Sequence, residues 1–280
     1  MSPKWKLGLQ REVNMPELAE VYYYAKQWAA GKGKPVSRVE LHAKSRVFRG
    51  CDTGELEEGL NGAALKEILT HGKQMLFKFS RGQWLAVHLG MTGETRVAPQ
   101  PYEAAKHDHL VLHLRDRALI FTDPRQFGLV QYHQGNALPE FWQALPPEIG
   151  SDAFTTALLT GVLQRHARVP LKMLLLDQRY FPGVGNWMAD EIMWQMKLPP
   201  ATPSGSLTGK QVTALHRTVK KVCKGAMDTV GVDWSDPPQD WLFRYRWEDG
   251  HVCPRCQAEL VRESLRGRTA CWCPVCQKRN

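Results

Sequence analysis

Five of the chain's seven cysteines crowd its last 28 residues, and four of those form two Cys-x-x-Cys turns. The turns, Cys253-Pro-Arg-Cys256 and Cys273-Pro-Val-Cys276, are separated by sixteen residues. Two such turns place four thiolates tetrahedrally around one ion, and Zn2+ is the expected occupant, with Cys253, Cys256, Cys273 and Cys276 as ligands. A segment this short cannot bury a core of its own, so the metal has to supply its folding free energy. The expected role is structural, one ion per chain, because four thiolates leave no open position for catalysis. Cys271 is out of register with the turns and is read as a bystander. Between the turns, Arg262, Arg266 and Arg268 fall on an expected β-hairpin, either as a phosphate clamp or as solvated surface arginines.

The remaining cysteines, Cys51 and Cys223, stand alone. An odd count without a secretory signal argues for a reducing compartment and for metal over disulfides, hence a cytoplasmic protein. The first fourteen residues contain no apolar core and no small-residue cleavage site. No run of about 18 apolar residues exists, so no membrane span is expected. Thirty-seven Lys and Arg against 28 Asp and Glu give a formal charge of +9. That excess favours a polyanionic partner, nucleic acid before an anionic membrane, with simple solubility as the plain alternative.

The 280 residues are enough for two modest domains and an appendage. Residues 16–30 read as a helix, capped by Asn14, with Pro16 in the first turn and Glu17 and Glu20 at the positive end of its dipole. From about 36 to 135, short alternating stretches (VSRVELH, MLFKFS, QWLAVHLG, HLVLHLRD, ALIFTD, LVQYH) mark strands of a sandwich or barrel. Residues 136–152, with Pro139, Pro146 and Pro147, read as a connection. From 153 to 230 the apolar period becomes helical. The boundaries expected are an extension or mis-assigned start at 1–14, a β-domain at 15–135, a linker at 136–152, a helical domain at 153–235 and the metal-binding finger at 236–280.

Within the helical part, Gly183-Val184-Gly185-Asn186 is a tight turn followed by a new helix. Glycines allow close backbone approach, and the helix start offers unpaired N–H groups to a phosphate; any short helical connection could also use such a turn. Met91 in LGMTG, and Arg125 and Phe127 in DPRQFG, fall at loop tips. They could wedge into a base stack or simply belong to the core. Lys73 follows His71-Gly72 at a strand start and could meet a phosphate or nothing.

Taken together, the motifs resemble the bacterial formamidopyrimidine-DNA glycosylases of the Fpg/Nei superfamily. The resemblance runs from Met15 to the end, through MPELAEV at Met15, KHDH at Lys106, TDPRQFG at Thr122, the LLDQ, GVGN and ADE stretch, and GRTACWCPVCQ at Gly267. It implies an α+β, multidomain protein: an N-terminal β-sandwich with a flanking helix, a helix-two-turn-helix domain and a C-terminal zinc finger. It implies a monomer, in the cytoplasm at the bacterial nucleoid, that binds double-stranded DNA containing damaged bases or abasic sites. The implied activity is removal of an oxidised base followed by β,δ-elimination at the abasic site. Pro16 would be the nucleophile, forming a Schiff base with the sugar C1′, and Glu17 the acid/base. Lys73 would complete the catalytic set and, with Asn186 and Arg268, hold the phosphates around the expelled nucleotide. Met91, Arg125 and Phe127 would fill the gap it leaves, and His107 and Lys172 would be further DNA contacts.

Ala19 departs from the family's second proline without removing a reactive group. The segment between Val230 and Cys253 is short beside members that close a long loop over 8-oxoguanine, so the preferred lesion stays open. Pro16 poses a chemical condition. Within a chain its nitrogen is an amide, delocalised into the Met15 carbonyl, and cannot attack a sugar. The expectation is therefore translation from Met15 and removal of that methionine, which makes Pro16 the first residue. The alternative is a blocked Pro16 in a catalytically silent damaged-DNA-binding protein; Lys73 as the working amine is a third possibility.

Overall fold

The computed structural model describes residues 15–278. The expected extension or mis-assigned start, 1–14, lies outside the described residues, and with it the expected cap Asn14. Helix α1 (Leu18–Gln27) runs on through a 3-10 turn to Gly31. It starts later than position 16 because Glu17, at its N-cap, has extended backbone and makes no side-chain bond to α1.

The sandwich follows. It consists of β1 (Arg38–Leu41), helix α2 (Thr53–Leu60), β2 (Leu65–His71), β3 (Gln74–Phe79), β4 (Gln83–His88), β5 (Glu94–Pro99), β6 (Asp108–His113), β7 (Arg117–Thr122) and β8 (Leu129–Gln134). One sheet has the order β1-β6-β7-β5 and the other β2-β3-β4-β8, with antiparallel pairing throughout. Side chains alternate across a strand, so Phe77 and Phe79, Leu110 and Leu112, and Leu119 and Phe121 all point into one shared core. The two strands that show no clean alternation in the sequence, β2 and β5, are both sheet edges, where less side-chain surface is buried. Residues 136–152 do more than connect. One turn, α3 (Glu140–Gln143), lays Phe141 and Trp142 over Leu76, Trp84 and Ala86 on the outer face of the second sheet.

Helices α4 (Thr156–Arg165), α5 (Leu171–Leu175), α6 (Asn186–Gln195) and α7 (Gly209–Asp228) form the helical domain, followed by the single turn α8 (Val230–Asp233). A Thr208/Gln211 capping box starts α7. The finger is a hairpin of β9 (Val261–Leu265) and β10 (Arg268–Trp272). Its turn residues Arg266 and Gly267 both have positive φ, 48° and 77°, which matches the twist of a two-residue hairpin loop. Among the described residues no helix is long and apolar enough to cross a membrane.

Helix α1 belongs to both large domains. Ala19 is fully buried in the helical core, while Val21, Ala25 and Trp28 are buried in the sandwich core. Trp28 packs on Phe77 of one sheet, ring centroids 4.5 Å apart, and donates its indole N–H to the Ile120 carbonyl of the other at 3.3 Å. Phe77→Ala should therefore lower unfolding free energy by about 3–5 kcal/mol, read from urea unfolding; a loss under ~1 kcal/mol would mean that the two sheets repack around the gap.

Candidate active site

The first amides of any helix lack intrahelical acceptors. For α6 a carboxylate from the other end of the chain supplies them. Glu17 Oε2 accepts from the N–H of Gly185 at 3.0 Å and of Met188 at 3.1 Å, and Oε1 accepts from Trp187 N–H at 2.9 Å. Gly185 is required: a Cβ there would stand 2.2 Å from Glu17 Cδ. The turn is held from a second side, where Leu18 N–H donates to the Gly183 carbonyl at 2.9 Å. Gly72, at φ 56°, meets the Gly183 backbone so closely that a Cβ would come within 2.9 Å of its nitrogen. Three segments distant in sequence, 15–20, 72–73 and 183–188, thus converge.

Glu17 is 1% exposed. Burial pushes its carboxyl up to about 7, against the opposing pull of Lys73; Glu20 adds to the rise, while the Trp187 and Met188 amides lower it. Burial lowers the Lys73 ammonium, the Glu17 and Glu20 charges raise it, and the nearby Arg268 guanidinium lowers it again. Glu20 is itself buried and accepts from the Trp187 indole N–H at 3.0 Å. Pro16 is buried beside this group, and Met15 Sδ lies 4.0 Å from Lys73 Nζ. Asn186 is half-buried, with its Oδ1 enclosed and lacking a protein hydrogen-bond partner. The fold therefore gathers Pro16, Glu17, Lys73 and Asn186 in one place, with the charge of Arg268 acting on Lys73.

A second group forms at the β4–β5 and β7–β8 loops. Asp123, fully buried, accepts from Thr92 Oγ1 at 2.6 Å and from the N–H of Gly128 at 2.7 Å. That pair of bonds ties the Met91 loop to the Arg125–Phe127 loop. Gly90, at φ 64°, presses against the Phe127 backbone, where a Cβ would meet the carbonyl carbon at 2.4 Å. Met91 is half-buried; Arg125 and Phe127 are exposed, the guanidinium carbon 4.8 Å from the ring centroid. An exposed phenylalanine at a rigid loop tip excludes the core alternative for Phe127. Between the two groups stands His88, pushed down to about 4 by burial and then by the charges of Lys73 and Arg49. His107 is half-buried, and its carbonyl accepts from Asp123 N–H and Thr122 Oγ1, at 3.0 and 2.8 Å.

Lys172 departs from expectation. It has no exposed surface, and its Nζ donates to Asp190 Oδ1 and to the Thr269 carbonyl, both at 2.5 Å. It holds the finger to the helical domain from inside and presents nothing to a ligand. Glu20, Asp123 and Asp190 are the functional neighbours that sequence reasoning passed over. Each lies inside a motif named above, Glu20 in MPELAEV, Asp123 in TDPRQFG and Asp190 in ADE, but only its burial shows what it holds.

In the finger, the Sγ atoms of Cys253, Cys256, Cys273 and Cys276 all lie within 4.8 Å of one another, with separations of 3.9 Å for Cys253–Cys276 and 3.5 Å for Cys256–Cys273. A tetrahedron with metal–sulfur bonds of about 2.3 Å has edges of about 3.8 Å, so the four thiols fit one metal ion. Trp194 Nε1 donates to Cys253 Sγ at 3.4 Å, the kind of outer bond that orients a thiolate ligand. Cys271 points elsewhere, into the buried surroundings of Asp190, where burial pushes its thiol up to about 12.

Two family models match this chain, the Formamidopyrimidine-DNA glycosylase N-terminal domain over residues 15–130 and the Formamidopyrimidine-DNA glycosylase H2TH domain over residues 145–235. The formamidopyrimidine-DNA glycosylase of Chloroflexus aggregans is 35% identical over 225 residues, covering 77% of this chain and 82% of the relative. That of Thermus thermophilus is 33% identical over 276 residues, covering 94% and 98%. Among solved structures, wild-type Lactococcus lactis Fpg (MutM) bound to DNA containing an oxidized pyrimidine superposes with a TM-score of 0.84 at 27% identity, covering 94% of this chain and all of that one. A MutM complex with DNA containing carbocyclic 8-oxo-G gives 0.84 at 25% identity, with the same coverage.

A carboxyl at about 7 in the fold and at 4.5 when unfolded keeps a proton that the unfolded chain releases between those values. Its contribution to stability therefore falls as pH rises from about 4.5 to about 7. Glu17→Gln should flatten that part of the pH–stability curve relative to wild type, measured as urea midpoints at pH 5 and 7.5. Parallel curves would show that Glu17 titrates normally.

Proposed function

The chain belongs to the formamidopyrimidine-DNA glycosylase family, and we propose that it binds double-stranded DNA with damaged bases or abasic sites, removes oxidised, ring-opened bases and cleaves the abasic strand through a Schiff base on Pro16. The observation that carries this is the Glu17 carboxyl, enclosed at the start of α6 beside Pro16 and Lys73. Its place near neutrality suits a group that must give a proton and take one back.

In this reaction the Pro16 amine attacks the sugar C1′. The N–C1′ bond forms, the glycosidic bond breaks with the departing base taking a proton, and Glu17 protonates the ring oxygen as the sugar opens to an iminium. The iminium acidifies the C2′ hydrogen. Loss of that proton expels the 3′ phosphate, and a second elimination expels the 5′ phosphate, leaving a one-nucleotide gap. Lys73, Asn186 and Arg268 are suited to hold the flanking phosphates by charge and hydrogen bonding. Met91, Arg125 and Phe127 are suited to occupy the space of the expelled nucleotide. The chain works as a monomer in the bacterial cytoplasm, at the nucleoid.

Zn2+ is the metal that four thiolates select, and it supplies no chemistry here beyond folding the hairpin that carries Arg268. Cys253→Ser or Cys276→Ser should release zinc, by chelator assay, and abolish binding to abasic DNA; unchanged affinity would show the finger to be dispensable.

The attack needs a secondary amine, and Pro16 behind Met15 is an amide. The chemistry thus requires a form of the chain in which Pro16 comes first, and the family match from residue 15 onward supports that form. The amide also defines the competing reading, a binding protein with silent chemistry. Borohydride trapping on a duplex with one abasic site decides between them. Protein started at Met15 should form the covalent complex, the full 280-residue chain should not, and Pro16→Gly in the short form should lose most trapping while still binding. Binding without trapping by either form would establish the silent protein, and full trapping by Pro16→Gly would assign the amine elsewhere.

A further inference from the structure

Beneath the finger lies a cluster of charges that the proposed reaction does not use. Asp190, one turn into α6, has no exposed surface. Its Oδ1 accepts from Lys172 Nζ at 2.5 Å; its Oδ2 accepts from Arg246 Nη2 at 2.8 Å, from Arg246 Nε at 3.3 Å and from the backbone N–H of Cys271 at 3.2 Å. Lys172 donates a second bond to the Thr269 carbonyl at 2.5 Å. Arg246 is 3% exposed and lies over the Trp247 ring at 4.5 Å.

Two cations on one carboxylate, all desolvated, make an expensive adhesive, and apolar side chains would glue the finger to α6 at lower cost. What apolar packing lacks is direction. The bonds to Thr269 O and Cys271 N fix the height and rotation of β10 relative to α6, and Arg268 is the exposed first residue of that strand. It projects where its charge is felt at Lys73. The same helix grips Glu17 at its first amides and carries Asn186. We infer that Asp190, acting through Lys172 and Arg246, is a positioning residue that sets β10 so that Arg268 meets a DNA phosphate beside Glu17 and Lys73. This rests on Arg268 being a phosphate ligand, as proposed above.

The test measures binding of the zinc-loaded full chain to a duplex carrying a tetrahydrofuran abasic analogue, across a range of salt concentrations, for wild type, Arg268→Ala, Asp190→Asn, Lys172→Met and the Asp190→Asn/Arg268→Ala double variant. Arg268→Ala should weaken binding and make the slope of log affinity against log salt shallower by about 1. Asp190→Asn and Lys172→Met should reproduce that change of slope, and the double variant should bind no worse than Arg268→Ala alone. A purely structural role lowers the melting temperature but leaves the slope alone, so wild-type slopes in the two cluster variants, or losses that add in full, overturn the inference. Zinc content is measured throughout, and if Asp190→Asn loses the metal, Lys172→Met decides alone. Should Arg268→Ala leave the slope unchanged, the phosphate contact itself fails and the inference with it. If Arg268→Ala lowers the slope and the cluster variants do not, only the positioning role of Asp190 falls.

Discussion

The carboxylate of Glu17 at the amino end of α6 is the constraint on which the rest depends. A helix start attracts anions through its unpaired amides and its dipole. Here that property is spent on a side chain of the protein itself. The bond set ties the start of α1, which packs in both large domains, to the first turn of α6 through three hydrogen bonds to a buried group. Glycines at 72, 183 and 185 exist to make the approach possible, and each leaves no room for a side chain.

Around that contact α6 acts as a common frame. Its first turn holds the acid, its first residue is Asn186, and Asp190 one turn later holds the strand that begins with Arg268. The sandwich contributes Lys73 from the β2–β3 turn and, through Asp123, a rigid pair of loops carrying Met91, Arg125 and Phe127. Charge is distributed unevenly between these parts. Glu17 and Lys73 are both buried, so burial works against both charged forms, raising the carboxyl to about 7 and lowering the ammonium, while each one's charge opposes that effect on the other.

Much of this is legible in the sequence. The period-two runs give six of the sandwich strands, and β2 and β5 escape because their own burial alternates weakly. The paired Cys-x-x-Cys turns give the metal site because ligand geometry dictates spacing. That Pro16, Glu17, Lys73, Asn186 and Arg268 belong together is legible only by resemblance, since no local pattern says that positions 17 and 185 meet. Lys172 shows the limit most plainly. The resemblance marks it as a DNA contact, and only the tertiary structure reveals the buried aspartate that claims it. The burial of Glu20, Asp123 and Asp190 is invisible for the same reason: a buried acid and a solvated one are written with the same letter.

The distance in sequence between Glu17 and its amide partners, 168 to 171 residues, also sets an order of events during synthesis. A ribosome adding about 5–20 residues per second completes α6 roughly 10–30 s after α1 has emerged. The sandwich can fold once β8 is made, but until α6 follows the acid has no helix start to receive it. The segment around Glu17 is therefore made long before its surroundings exist, and its carboxyl is pushed up only when α6 closes on it.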